Sequence, residues 1–276
     1  MRTVLFLFAL FLSAAESLCQ DLPLRIVSLS PAVTEIICQL GAKDLLVGRS
    51  RVCDYPECVK NLPSAGDLGT PETERISKLN ADVVISDVDN PAANWEQLRK
   101  LGIKVVLLRS DSISRYRENV STIGRIVGRE KAAEDEWKRF SAKLREIEES
   151  VRNIRKVPVA VFLGANPLVS CNDDTFIGEL LKLSGASNVS GNIRKSYFII
   201  APEFILEKDP AAAVVADMSG STKKQLLETS LLRNVKFIRN KAVIDTVPDE
   251  YFCRLSPRTL LAAEILKREL DKYRAP

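Results

Sequence analysis

The chain has 276 residues, of which 46% are hydrophobic and 28% charged, a composition typical of globular proteins. Its net charge of +4 is mild and scattered, so we predict no nucleic-acid partner. Histidine is absent, which excludes Ser-His and Cys-His nucleophiles and histidine-based metal sites. We therefore predict no catalytic residues, no metal and no resident cofactor. A secreted hydrolase using carboxylates such as Asp87, Asp89 or Glu250 remains a remote alternative.

Residues 1–19 have the features of an export signal. A short positive start precedes nine apolar residues, 4–12, and a small-residue region, 13–17. The apolar run is too short to span a bilayer comfortably. We expect cleavage between residues 17 and 19, and a lipid anchor on Cys19 is the other possibility.

Residues 20–128 alternate short apolar strands with helices, which predicts a parallel α/β lobe. Ser30 before Pro31 fits the start of a helix. The predicted strands cover residues 25–30, 45–48, 82–86 and 104–108.

Residues 129–156 differ in character. They contain neither Pro nor Gly, and apolar residues recur every three or four positions between Ala133 and Val151. This pattern predicts an amphipathic helix of about 38 Å that joins two lobes; an ordinary surface helix is the alternative. Strand–helix alternation resumes over residues 157–276, which predicts a second α/β lobe.

Two segments, residues 72–87 and 202–217, repeat one pattern. In each, a Glu near the start of a short helix (Glu74 or Glu203) precedes an Ile by two residues, and a Val-Val strand ending in Asp follows. A repeat at this long spacing indicates two similar lobes rather than a solenoid. A cleft between lobes is a common place for a small molecule to bind.

The six cysteines allow disulfides in an exported protein. Cys53 and Cys58 close a short loop and form a possible pair. Cys171 and Cys253 could meet across the second lobe, although sequence does not fix connectivity. Buried thiols are the alternative for each.

Five segments carry a family resemblance: RIVSLSPAVTEI, VGRSRVCDYPE, ETERISKLNADVVI, LGIKVVLL and EYFCRLSPRTLLAAEIL. With them the chain resembles the class III periplasmic binding proteins of ABC importers, and within that family the corrinoid (cobalamin) binders. The resemblance implies two Rossmann-like α/β lobes bridged by one long helix. It also implies a periplasmic, monomeric receptor that delivers a small molecule to an ABC permease at the inner membrane.

The same resemblance suggests functional residues. Glu74 and Glu203 match the family positions that dock on the permease. The ligand is expected to be a corrinoid, and haem or an iron-siderophore is the alternative, for which Arg49, Arg51, Arg109 and Arg254 could supply positive charge. The residues expected to bind ligand are Cys53, Asp54, Tyr55, Gly66, Asp67, Asp87, Tyr197, Glu250, Tyr251, Phe252 and Arg254.

Overall fold

The computed structural model describes residues 23–88, 90, 95–216 and 220–274. The predicted export signal, Cys19 and Asp89 lie outside these residues. None of the helices described is both long enough and apolar enough to cross a membrane.

The N-terminal lobe is built on a four-stranded parallel sheet in the order β2-β1-β5-β6. The two central strands, β1 and β5, are fully buried, as expected for a parallel sheet covered by helices, whereas the edge strands β2 and β6 are partly exposed. The strands are β1 Ile26–Ser28, β2 Leu46–Arg49, β3 Gly66–Asp67, β4 Thr70–Pro71, β5 Val83–Ser86 and β6 Lys104–Leu107. The helices are α1 Pro31–Gln39, α2 Thr73–Lys78, α3 Trp95–Lys100 and α4 Arg115–Ile126, with 3-10 turns at Lys43–Leu45 and Glu57–Asn61.

The C-terminal lobe repeats this plan with a parallel sheet in the order β10-β7-β12-β13. A small antiparallel sheet, β11-β9-β8, lies beside it. The strands are β7 Val157–Phe162, β8 Gly164–Ala165, β9 Leu168–Cys171, β10 Ala186–Asn188, β11 Tyr197–Ile199, β12 Ala212–Val215 and β13 Val243–Ile244. The helices are α6 Phe176–Leu183, α7 Pro202–Lys208, α8 Thr222–Glu228, α9 Lys236–Arg239, α10 Asp249–Phe252 and α11 Thr259–Asp271, with a 3-10 turn at Ser230–Leu232.

The sequence repeat corresponds to equivalent places in the two sheets. Helix α2 precedes β5 and helix α7 precedes β12, and each of these strands is third in its sheet. The structure therefore has the predicted class of fold, with two similar α/β lobes.

Helix α5, Glu130–Val151, joins the lobes. Its 22 residues span about 33 Å at 1.5 Å per residue. It ends five residues before the predicted boundary of 156, because residues 152–153 form a turn that leads into β7. Helix α5 packs on α4 of the first lobe and on α6 and α11 of the second.

The larger of the two buried apolar clusters among the described residues runs through both lobes, and the smaller one belongs to the N-terminal lobe. Ala133, Phe140 and Ile147 of α5 belong to the same buried cluster as Ile26 of the first sheet and Val159 of the second. Apolar burial is the dominant favourable contribution to folding, so this cluster stabilises the arrangement of the lobes as well as each lobe.

A further contact between the lobes involves Glu179 of α6. Its Oε2 accepts a hydrogen bond from the backbone N–H of Ile113, at 2.5 Å. Burial raises the pKa of the Glu179 carboxyl, and Asp111 acts in the same direction, although the Ile113 N–H and Lys182 oppose the shift. The folded protein thus holds this proton more tightly than the unfolded chain.

Replacing Glu179 by Gln should stabilise the protein at neutral pH, by less than about 1 kcal/mol. An amide keeps the acceptor for Ile113 and removes the buried charge. Because the carboxyl pKa is raised in the folded state, the unaltered protein loses stability as the pH rises above the ordinary carboxyl value of 4.5. At lower pH the Glu179 carboxyl is protonated and neutral, so the stability gained by Glu179→Gln should be smaller there. Urea denaturation at several pH values measures this, with the exposed Glu146→Gln as control. A gain that does not depend on pH would contradict the assignment.

Candidate ligand-binding site

A cleft of about 250 Å³ lies between the lobes. Ser30 lies just after β1, and Asp87 and Val88 lie just after β5. Ligands of open α/β sheets bind outside the carboxyl ends of strands, which is where these residues are. Among the residues that the structure describes, the lining is Ser30, Pro31, Ala32, Val52, Leu68, Asp87, Val88, Asp249, Glu250, Cys253 and Arg254.

Three of the predicted ligand residues line this cleft: Asp87, Glu250 and Arg254. The Ser110 hydroxyl donates a hydrogen bond to Asp87 Oδ2 at 2.9 Å. Glu250 lies in the short helix α10 of the opposite lobe. The cleft therefore brings together side chains that are far apart in sequence.

Gly66 and Asp67 shape the β3–β4 hairpin, whose tip residue Leu68 lines the cleft. Gly66 has a φ of +145°, and a Cβ there would lie 2.2 Å from the Thr70 carbonyl oxygen, so only glycine fits. Asp67 accepts hydrogen bonds from the Leu68 N–H at 2.9 Å and from Arg51 at 3.0 Å, and both lower the pKa of its carboxyl. Gly66 and Asp67 thus position Leu68, a cleft residue that was not among the predicted ligand contacts.

Tyr55 and Tyr251 come from opposite lobes and face the same guanidinium. The Arg258 Cζ lies 3.8 Å from the ring centroid of Tyr55 and 4.8 Å from that of Tyr251. Asp54, the neighbour of Tyr55, accepts a hydrogen bond from Arg254 at 2.7 Å. Partial burial tends to raise the pKa of Asp54, but the hydrogen bond and charge of Arg254 lower it overall.

Cys53 and Phe252, both predicted to contact the ligand, lie behind the cleft wall rather than in its lining. Cys53 and Phe252 are each only 1% exposed. The Cys53 thiol lies beneath the cleft wall, 3.2 Å from the Thr34 hydroxyl and 3.1 Å from that of Ser50. Phe252 packs into the continuous core. Both side chains therefore pack beneath the residues that line the cleft.

Cys53 and Cys58, the possible disulfide pair, both carry free thiols in this structure. Cys53 points inward to its hydroxyl partners, whereas Cys58 is exposed on the 3-10 turn that follows. Burial raises the pKa of the Cys53 thiol, so it is a weak nucleophile.

Tyr197 opens strand β11 and is 48% exposed. Burial of its hydroxyl raises the pKa of the phenol, and the nearby thiols of Cys171 and Cys253 add to the effect. Tyr197 is not among the described residues that line the cleft.

Glu74 and Glu203 occupy the same position in equivalent helices. Each is the second residue of its helix, α2 or α7, and each is exposed. Lys78 donates a hydrogen bond to Glu74 at 2.6 Å and lowers the pKa of its carboxyl. A carboxylate in the first turn also interacts favourably with the helix dipole.

Residues 26–250 match the family model for periplasmic binding proteins. The vitamin B12-binding protein of Photorhabdus laumondii is 24% identical over 263 residues, covering 95% of this chain and 93% of the relative. An uncharacterized ABC transporter substrate-binding lipoprotein of Bacillus subtilis, YvrC, is 28% identical over 256 residues, covering 90% and 80%. The apo structure of the periplasmic heme-binding protein RhuT from Roseiflexus sp. RS-1 is similar, with a TM-score of 0.82, 22% identity and coverage of 92% of this chain and 100% of that one.

The match covers most of the chain, so the protein belongs to the periplasmic binding protein family. It is a binding protein of the ABC-importer type. The names of these relatives give different ligands, vitamin B12 in one case and heme in another. The chemistry of the cleft is therefore the guide to the ligand of this protein.

Proposed function

We propose that this protein is an exported receptor that captures a corrinoid in its cleft and delivers it to an ABC permease. The observation that carries this proposal is the charge of the cleft: within the described part of the chain, its lining includes the carboxylates of Asp87, Asp249 and Glu250 and one arginine, Arg254. A corrin ring bears carboxamide groups, which can donate hydrogen bonds to carboxylates. Its apolar faces suit the aliphatic side chains of Val52 and Leu68.

The positive charges near the cleft are already paired within the protein. Arg254 binds Asp54 and Glu35. Arg51 binds Asp67 and Glu72, at 3.0 Å each. A dianionic ligand would therefore have to compete with these internal pairs, and it would meet the cleft carboxylates as like charges.

The other two arginines considered for an acidic ligand are also engaged. Arg109 forms an ion pair with Asp111. Arg49 donates hydrogen bonds to the carbonyls of Ser50, Arg51 and Lys60. This arrangement disfavours a siderophore or another ligand that needs several unpaired cations.

Haem is the second candidate, because the chain is similar in fold to a heme-binding receptor and because Tyr197 carries a partly exposed phenol. A tyrosine oxygen can ligate haem iron. Against it, the two propionates of haem would face the carboxylates of the cleft.

Titration of the purified protein with cyanocobalamin and with haemin, followed by calorimetry, distinguishes the candidates. We expect cyanocobalamin to bind, and haemin to bind at least about tenfold more weakly because of the charge mismatch. Tighter binding of haemin, or no binding of cyanocobalamin, would overturn the corrinoid assignment.

Replacing Glu250 by Gln should weaken cyanocobalamin binding by about fivefold, because the amide keeps an acceptor oxygen but loses the charge that strengthens the hydrogen bond. Glu250→Lys should in addition improve haemin binding, because it adds a cation to the cleft. The exposed Glu146→Gln, on α5, is the matched control and should change neither affinity. Unchanged cyanocobalamin affinity in Glu250→Gln would remove this residue from the site.

A further inference from the structure

Glu35 is a buried carboxylate that links the two lobes. It lies on α1, which begins at Pro31 because the Ser30 hydroxyl accepts a hydrogen bond from the Val33 N–H. Its side chain is 1% exposed. Burying a carboxylate is costly unless the charge is fully paired, and its partners come from the C-terminal lobe.

Arg258 supplies the main pairing. Its Nε donates to Glu35 Oε2 at 2.8 Å and its Nη2 donates to Oε1 at 2.6 Å. These are parallel charge-assisted bonds, which give direction as well as energy. Arg254 adds a longer contact to Oε1, at 3.4 Å. The hydrogen bonds join residues that are 219 and 223 positions apart in the chain.

The same guanidinium occupies the space between the two tyrosine rings. Glu35 fixes the plane of Arg258, and Arg258 in turn lies against Tyr55 of one lobe and Tyr251 of the other. A guanidinium over an aromatic face is attracted to it. Both rings are thus contacts between the lobes, held by a cation of the protein itself.

Arg254 connects this cluster to the cleft. It lines the cleft while it donates hydrogen bonds to Asp54 at 2.7 and 3.3 Å. The walls of the cleft come from different lobes, and this network joins those lobes next to the cleft.

We propose that Glu35 is a positioning residue for ligand capture: through Arg258 and Arg254 it sets the separation of the cleft walls before the ligand arrives. This inference rests on the proposed function, because it takes the cleft to be the place where the ligand binds. Buried ion pairs contribute little net stability, and in some proteins they fix one arrangement of the packed elements; loss of one partner leaves the other charge unpaired. Glu35→Gln keeps the size of the side chain and removes the charge that orients both arginines.

The test measures the distance between the lobes directly. Spin labels carried by unnatural amino acids at the exposed positions Lys100 and Lys224 avoid the native cysteines. Pulsed electron paramagnetic resonance should give one narrow distribution of the distance between the two labels in the otherwise unchanged protein, with or without cyanocobalamin. Glu35→Gln should broaden the distribution without ligand, and saturating ligand should narrow it again.

Affinity provides the second measurement. If Glu35→Gln leaves about a tenth of the molecules with the correct cleft, the apparent Kd for cyanocobalamin rises about tenfold. Glu136→Gln is the matched control, because Glu136 is also buried and paired with an arginine, but its partners Tyr116, Gln39 and Arg139 all lie outside the C-terminal lobe. It should leave both the distribution and the affinity unchanged.

A second variant covers the case in which Glu35→Gln fails to fold. Arg258→Lys keeps the charge and loses both the paired hydrogen bonds and the planar contact with the tyrosines, so it should also broaden the distribution. The proposal is overturned if the inter-lobe distance distribution stays narrow in both Glu35→Gln and Arg258→Lys. It is also overturned if one of these variants folds, keeps a narrow distance distribution and binds cyanocobalamin with unchanged affinity. If the unaltered protein binds neither cyanocobalamin nor haemin, the proposed function fails, whereas the distance measurement still decides whether Glu35 fixes the lobes.

Discussion

Replacing Glu74 and Glu203 together by alanine is expected to reduce ligand uptake through the cognate permease by at least about tenfold, equivalent to about 1.4 kcal/mol of lost association energy. The two carboxylates are exposed and occupy equivalent positions in the two lobes. A receptor that contacts both halves of a permease needs one such contact per lobe. Charges of this kind steer association and fix orientation, so the loss should decrease when ionic strength is raised.

Ligand affinity should not change in this double variant, since neither carboxylate lines the cleft. Uptake into proteoliposomes and calorimetric titration measure the two properties separately. A matched control replaces Glu96 and Glu228, one exposed helical carboxylate in each lobe that pairs with a neighbour on its own helix. If Glu74→Ala with Glu203→Ala loses the ligand but still associates with the permease, the docking assignment is wrong.

Replacing Phe252 by alanine is expected to lower the free energy of unfolding by about 3–5 kcal/mol. The ring is buried in the continuous core, and its removal would leave a cavity that close-packed neighbours fill only in part. Denaturation in guanidinium chloride measures the change, and Phe252→Leu should cost less because it keeps more of the volume.

The variant also tests whether the ring of Phe252 contacts the ligand. In folded Phe252→Leu protein, cyanocobalamin affinity should stay within about threefold of the unaltered value, a difference below 1 kcal/mol. The neighbouring Glu250→Gln provides the contrast, because its side chain does line the cleft. Full stability combined with lost affinity in Phe252→Ala would show that the ring contacts the ligand.

The sequence predicts the architecture well because the architecture depends on patterns that are local or repeated. Continuous apolar runs such as Val83–Ser86 form buried parallel strands, and the three- and four-residue spacing forms helix α5. The repeat around Glu74 and Glu203 corresponds to equivalent helices in the two lobes. The end of α5 was less predictable, since residues 152–156 contain no residue that forbids a helix.

The site was harder to predict for two physical reasons. A short helix such as Asp249–Phe252 turns adjacent side chains in different directions, so the sequence does not reveal that Phe252 faces the core. The pairing of Glu35 with Arg258 joins positions 223 residues apart and depends on how the lobes meet. Val52 and Leu68 were missed because aliphatic residues in loops carry no chemical signature.

The core that continues from one sheet to the other has a consequence for how a loaded molecule is recognised. Two bodies that share their interior cannot swing far apart without exposing apolar surface to water. Empty and filled receptors should therefore offer Glu74 and Glu203 at nearly the same spacing. A permease would then have to distinguish the ligand-bound from the empty receptor by contacting the surface loops at the mouth of the cleft, or by contacting the exposed edge of the ligand itself.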